Sequence, residues 1–342
     1  MEATMAFSLR SGTLAESMAK KFGFFKTFIT RRPVWCSWQL TDDCNFRCKF
    51  CTAWKKRADD REQTLEQIEQ SAARLARIGT MVVSMTGGEP LARRDLPAVV
   101  RAINRYHFTF LSTNGSMVTR ERARALAEAG LWGIGVSLDY ADPRRHDAAR
   151  GHEGAHRQAI EALRILQEER IGGRPRVNLM FTLMRDNFDD LQEIAELSRR
   201  HGCAFRVQPY SVLKTGDKEL VYPLPASKRL LELRRQHPNF ATNPVVLEKF
   251  DTALAEGVPG CVAGRFMLNI DPVGRVAKCP EDQTNPVGHI LEDDGPTLVR
   301  RLKERHRSNT CKACWYNCRN ELEVSYTLRG MFYGGRRNFG DS

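Results

Sequence analysis

Short runs of β-branched and aromatic residues alternate with longer amphipathic segments through most of the chain. Six runs predict strands, at 35–41 (WCSWQLT), 81–87 (MVVSMTG), 108–114 (FTFLSTN), 133–139 (GIGVSLD), 177–184 (VNLMFTLM) and 204–210 (AFRVQPY). Between them apolar residues recur three or four apart over 64–78, 94–105, 119–129, 156–169 and 188–201, the period of a helix with one buried face. Strand and helix repeating in this order predict an α/β fold whose parallel sheet is covered by helices, and right-handed crossovers curl six such units into a partial (β/α)6 barrel. Functional groups in such a sheet gather at the carboxyl ends of the strands. The unusual residues sit there: Cys44 to Cys51 after the first strand, Gly87 to Pro90 after the second, Asn114 and Gly115 after the third, Asp139 after the fourth.

The alternation stops near 215, so 33–215 is expected to be the core. Residues 216–255, with Tyr222, Pro223, Pro225 and a helical pattern at 226–236, read as a connector. A second, cysteine-bearing region follows over 256–330, in which FMLNIDPVGRVAKC predicts a hairpin turning at Asp271–Gly274. Residues 331–342 read as a flexible tail. At the other end Leu14, Met18, Phe22, Phe25 and Ile29 share a face, with Lys20, Lys21, Lys26, Arg31 and Arg32 nearby. Residues 1–32 therefore predict a basic amphipathic helix, either docked on the body or touching an anionic membrane surface through 14–32.

Composition narrows the function classes. With 42% hydrophobic content over 342 residues, the chain can bury a sizeable core. The net charge of +12 is interleaved with acids except at Arg300 to Arg307, which speaks against nucleic-acid binding and suits at most an acidic partner. No run is long and apolar enough to span a bilayer, and no secretory signal opens the chain, so a cytoplasmic, reducing setting is expected, peripheral to the membrane if the first helix binds it. Ten cysteines in that setting argue for metal or redox chemistry rather than disulfides. Cys36 and Cys203 stand alone and are expected to be buried apolar residues.

Cys44, Cys48 and Cys51 follow C-x3-C-x2-C in the loop after the first strand. Three thiols complete neither a closed zinc site nor a cubane, each of which takes four ligands. They can hold a [4Fe-4S] cluster with one iron open to a further ligand. With Phe50 before the last cysteine, the loop resembles the signature of the radical S-adenosylmethionine (SAM) enzymes, which bind SAM at that open iron. The resemblance extends to Gly87-Gly88-Glu89 after the second strand, to Ser112-Thr113-Asn114-Gly115 and Ser137-Leu138-Asp139 after the third and fourth, and to His146-Asp147-x-x-Arg150-Gly151. It implies SAM contacts from Phe50, Gly87, Gly88, Glu89, Asn114, Ser137 and Arg150, with Glu89 accepting from the SAM ammonium. Asp139 and Asp147 read equally as turn or helix caps.

Cys261 and Cys279 frame C-x12-G-x4-C across the hairpin, and Cys311, Cys314 and Cys318 follow. This region resembles the auxiliary-cluster domains called SPASM and its short form, twitch. Five cysteines instead of seven imply one auxiliary [4Fe-4S] cluster, held by Cys261, Cys279, Cys311 and Cys314, with Cys318 able to replace one of the last two. Structural zinc is the alternative occupant.

The resemblance implies an enzyme that reductively cleaves SAM to a 5′-deoxyadenosyl radical and takes hydrogen from a peptide or small molecule, with the auxiliary cluster assisting an oxidative outcome. A flavodoxin or ferredoxin is the expected reductant. Tailoring of a lipid or tetrapyrrole at the membrane surface is the second reading, and a nonenzymatic zinc-binding nucleic-acid protein a remote third. Only 43 residues precede Cys44, too few for a leader-recognition module. No acid or base is assigned; Tyr210, Glu281 and Asp282 are expected near the pocket.

Overall fold

In the computed structural model residues 32–56, 62–327 and 329–330 are described. The expected N-terminal helix (Arg32 apart) and the tail at 331–342 lie outside them. The six βα units follow in the expected order: β1 (Trp35–Gln39), α1 (Leu65–Ile78), β2 (Val82–Thr86), α2 (Leu96–Asn104), β3 (Phe108–Thr113), α3 (Arg120–Glu128), β4 (Gly133–Ser137), α4 (Pro143–Arg150), α5 (Ala155–Glu168), β5 (Arg176–Leu183), α6 (Leu191–Arg200) and β6 (Ala204–Pro209). Then come α7 (Ser227–Gln236), α8 (Pro244–Leu247), α9 (Phe250–Ala255), β7 (Met267–Ile270), β8 (Arg275–Ala277), β9 (Gly288–His289), α10 (Gly295–Arg307) and α11 (Asn317–Ser325). Local chemistry sets the ends. α1 opens on a reciprocal Thr64–Gln67 capping box and stops at Gly79, whose left-handed conformation ends the helix. α4, which carries the HDxxRG stretch, escaped the periodicity because its short sequence is almost wholly polar; Asp142 caps it through the Arg145 N–H at 2.8 Å.

Among the described residues the nine strands form one sheet in the order β6-β5-β4-β3-β2-β1-β7-β8-β9. β1 to β6 are parallel in sequence, as expected. The expected hairpin is β7–β8, and β7 pairs in parallel with β1, placing Trp35 beside Met267 and Ser37 beside Asn269. The cysteine-bearing region thus begins as an extension of the core sheet.

Strand side chains alternate between two faces. Cys36, Trp38, Val83, Met85, Leu111, Val136, Leu179, Phe205 and Leu268 point to the helices and form the main core with them. Their neighbours Trp35, Ser37, Gln39, Asn178, Arg206, Gln208 and Asn269 point the other way, into a concave lumen that is polar along β1, β6 and β7, while Phe110 and Met180 line it beside Gly133 and Gly135. Cys36 and Cys203 are buried, as expected.

α11 reaches from β6, at one edge of the sheet, to the chain beside β7. On the β6 side Arg206 Nη1 donates to Glu321 at 3.0 Å while its Nε donates to Asn178 Oδ1 at 2.9 Å, and the Asn317 N–H donates to Gln208 Oε1 at 3.2 Å. On the β7 side Leu322 shares one apolar cluster with Val34, Met81, Phe266 and Met267. Breaking a largely buried ion pair strands the remaining charge. Arg206→Met is expected to destabilise the apoprotein by about 3 kcal/mol, and Arg206→Met/Glu321→Leu to recover most of that loss; thermal midpoints of the three proteins check it.

Candidate active site

The Cys44–Cys51 loop leaves β1 at its carboxyl end and is interlocked with the segment after β2. Gly88 N donates to Thr41 O at 2.8 Å and Glu89 N to Asp43 O at 2.7 Å. A Cβ on Gly87 would lie 2.3 Å from Thr41 O, and one on Gly88 2.0 Å from Asp43 O. The paired glycines therefore admit the chain's own backbone at this position.

Glu89 is fully enclosed. Oε1 accepts from Thr113 Oγ1 at 2.8 Å and from Leu91 N at 3.0 Å, and Oε2 accepts from Asn114 N at 2.8 Å. Burial raises its pKa above the ordinary carboxylate value, against the pull of these donors. Oε2 has one protein donor and keeps capacity for another. Asn114 reaches back to the loop, its Nδ2 donating to Asn45 Oδ1 at 3.0 Å. Ser137, at the end of β4, lies on the lumen side with Gly133 and Gly135.

Arg150 closes the loop from the α4 side. Its Nε donates to Asp139 Oδ2 at 2.9 Å, Nη2 donates to the same oxygen, and its guanidinium carbon lies 5.0 Å from the centre of the Phe50 ring. Asp139 Oδ1 accepts from Thr182 N at 2.9 Å. The backbones of α4 and the loop also meet, through Lys49 N to Ala149 O at 2.9 Å and Arg47 N to Arg150 O at 3.2 Å. Asp147 caps the next helix, accepting from Gly154 N and His156 N.

Cys48 and Phe50 lie in an apolar pocket with Phe46, Tyr140, Ala149, Met184 and Tyr210. Burial pushes the Cys44 thiol up to about 11. Burial raises Cys48 too, with the Arg150 charge opposing it. A pocket that disfavours bare thiolates suits thiolates whose charge a metal neutralises, and the three-thiol donor set fits an iron–sulfur cluster with an open iron.

The second group of thiols is gathered by two hubs. Arg319, almost wholly buried, donates through Nη1 to Cys314 O at 2.7 Å, through Nη2 to Val258 O, and through Nε to Glu323 at 2.6 Å. Asn309 Nδ2 donates to Cys261 O at 3.2 Å, and its Oδ1 accepts from Cys311 N at 3.3 Å. Burial lifts Cys279 to about 12 and Cys314 to about 11, and raises Cys318 strongly. Cys279 lies in the field of Cys261 and Cys314, Cys314 in that of Cys261 and Cys311, and Cys318 in that of Cys314 and Cys279. All five thiols thus share one neighbourhood. Among the described residues no three such side chains converge around a single metal ion; the donor set, all sulfur and drawn from three segments, suits a multinuclear iron–sulfur cluster better than one zinc ion.

Of the expected pocket residues, Tyr210 bonds Thr215 Oγ1 at 2.5 Å, Glu281 pairs with Lys214 at 2.6 Å and Asp282 with Lys278 at 3.5 Å. Lys214, Arg206, Asn309 and Arg319 were not singled out by the sequence, because nothing local distinguishes them from other basic or polar surface residues.

The family model described as the Radical SAM superfamily matches residues 38–198. The mycofactocin maturase MftC of Mycolicibacterium smegmatis is 29% identical over 318 residues, covering 87% of this chain and 80% of that protein. A probable GTP 3',8-cyclase of Thermococcus kodakarensis is 31% identical over 213 residues, covering 58% of this chain and 67% of its own length. Among solved structures, Streptococcus suis SuiB bound to its precursor peptide SuiA shares the fold with a TM-score of 0.65 at 16% identity, over 91% of this chain and 79% of that one. The chain belongs to the radical SAM superfamily. It is an enzyme of that class, and its cofactors are a [4Fe-4S] cluster and SAM.

Arg150→Ala leaves Asp139 buried without its cation, which is expected to cost about 3–5 kcal/mol. The variant is expected to retain less iron than the parent after anaerobic reconstitution and desalting, with Arg150→Lys intermediate; colorimetric iron assay measures both.

Proposed function

We propose that this chain is a peptide-modifying radical SAM enzyme with one auxiliary [4Fe-4S] cluster. The observation that carries the reading is the likeness to the maturase MftC, which covers 87% of this chain and 80% of that protein. The SuiB structure bound to a precursor peptide shares the fold. The lumen supports the same reading. Asn269 is fully buried with both side-chain polar atoms unpartnered, and Asn317, Gln39 Oε1 and Trp35 Nε1 are likewise without partners. Orphaned polar groups cost about 1–3 kcal/mol each, and donors and acceptors in this number suit the amides of a peptide better than the apolar faces of a tetrapyrrole or lipid.

When bound, the cluster and SAM supply a 5′-deoxyadenosyl radical that removes a hydrogen atom from the substrate. Cys44, Cys48 and Cys51 would hold the SAM-binding cluster, Glu89 would accept from the SAM ammonium, and Gly87, Gly88, Phe50, Asn114, Ser137 and Arg150 would frame the cofactor. Cys261, Cys279, Cys311 and Cys314 would hold the auxiliary cluster, with Cys318 able to replace one of the last two. The polar side of the lumen orients the peptide. A flavodoxin or ferredoxin supplies electrons.

Anaerobic reconstitution is expected to give about eight irons per chain and release of 5′-deoxyadenosine from SAM under dithionite. Cys44→Ala/Cys48→Ala/Cys51→Ala should retain about four irons and lose SAM cleavage. Cys279→Ser should also retain about four but keep it. Tight zinc with no SAM cleavage would overturn the assignment. Incubation with a short peptide encoded beside the gene, followed by mass spectrometry, tests the substrate class; a peptide left unchanged while a co-encoded small molecule is altered would remove the peptide reading.

A further inference from the structure

The turn after β6 fastens the two cysteine groups to each other. Thr52, next to Cys51, donates its hydroxyl to Lys214 O at 3.0 Å. Ser211 donates to Ala313 O, next to Cys314, at 2.8 Å. The Lys214 side chain then leaves this strap towards the auxiliary group. Its ammonium pairs with Glu281, two residues past Cys279, at 2.6 Å, and lies 5.4 Å from the ring centre of Tyr316, two residues before Cys318. The Lys214 carbonyl is thus held one residue from a cysteine of the first group, and its ammonium two residues from cysteines of the second.

The charge on this strap is a pair. The Lys214 ammonium and the Glu281 carboxylate stand 2.6 Å apart, the carboxylate two residues from Cys279 and the ammonium against the ring of Tyr316, two residues from Cys318. The backbone carbonyl of the same lysine holds Thr52, beside Cys51. Two fixed charges of opposite sign are therefore set next to the second thiol group, and the positive one is carried by the residue tied to the first.

We propose that Lys214 is an electrostatic bridge between the two iron–sulfur sites, its cation holding both reduction potentials up while Glu281 pulls the auxiliary one down. Adding an electron makes a cluster more negative, so a fixed positive charge nearby favours the reduced form and a fixed negative charge disfavours it. The pair is a positioning and tuning device that touches neither SAM nor the scissile bond. This inference rests on the two-cluster reading above.

The test is potentiometric titration of the reconstituted full chain, followed by electron paramagnetic resonance, with SAM present and no substrate. Lys214→Met is expected to lower both potentials, the auxiliary one more, because Glu281 is then left uncompensated beside it. Lys214→Arg is expected to restore both to near the parent values, and Glu281→Gln to raise the auxiliary potential. A merely structural role moves iron content and thermal midpoint, and does not give opposite shifts for the two charge deletions. Unchanged potentials in Lys214→Met at parental iron content, or shifts of the same sign in Lys214→Met and Glu281→Gln, would overturn the bridge. Should Lys214→Met lose iron, Glu281→Gln decides alone: an upward auxiliary shift supports the proposal and any other result sinks it. A parent chain holding only about four irons would instead overturn the two-cluster reading itself.

Discussion

The backbone interlock of Thr41–Asp43 with Gly87–Glu89 is the constraint on which the site depends. Hydrogen bonds of 2.8 and 2.7 Å join Gly88 to Thr41 and Glu89 to Asp43, and the glycines allow a separation at which any Cβ would collide. The loop carrying Cys44, Cys48 and Cys51 cannot shift without pulling the end of β2 with it. Glu89 extends the lock to β3 through Thr113 and Asn114, and Asn114 returns it to Asn45. A closed circuit thus runs from the cysteine loop through two strand ends and back. A second circuit closes from the other side, where Arg150 and Asp139 tie the same loop to β4, α4 and β5. Three thiols are held in place before any iron arrives, which is how a site is preorganised for a group it must bind.

The α/β alternation and the first cysteine group were legible because they are local. A strand of five residues at period two, or three cysteines within eight positions, leaves its mark in one window of sequence. All six core strands lie within one or two residues of their expected ends. The helical stretch after Asp142 left no such mark, since it buries only His146, Ala149 and Arg150 and has no apolar stripe to detect. The expected hairpin is present, but its partner was hidden: β7 pairs with β1 across more than two hundred residues of chain, and nothing in MLNI says which edge it will join. The ion pairs Arg206–Glu321, Arg150–Asp139 and Lys214–Glu281 were hidden for the same reason. Asp139, Arg150 and Glu281 stood out in the sequence, but the pairing of each needs topology to bring its partner to it. The resemblance motifs marked Arg150 and Glu89 as important; only the structure gives them protein partners.

The composition of the lumen is also a topological fact. Parallel strands buried on both faces read as continuous apolar runs, yet β1, β5, β6 and β7 alternate. Cys36 and Trp38 face the helices while Trp35, Ser37 and Gln39 face inward, and Phe205 and Val207 alternate with Arg206 and Gln208. On β1, β6 and β7 the apolar residues thus fall on the outer face and most polar ones on the inner, whereas on β3 Phe110 faces inward against Gly133 and Gly135, so the cavity has a polar side and an apolar one.

The C-terminal region completes that cavity. α11 places Cys318 in its first turn, and within the same helix Asn317 and Glu321 meet Gln208 and Arg206 of β6 while Leu322 joins the cluster beneath β7. A helix of nine residues is too short to adjust at one end independently of the other, so the position of Cys318 and the lining of the lumen are set together. Arg319, on the same helix, fixes the Cys314 carbonyl and the strand of chain leading to Cys261. Gathering the second set of thiols and closing the barrel are therefore one folding event. A change to the auxiliary thiols will be felt in the lumen through α11, and a change to the lumen pair Arg206–Glu321 will be felt at Cys318.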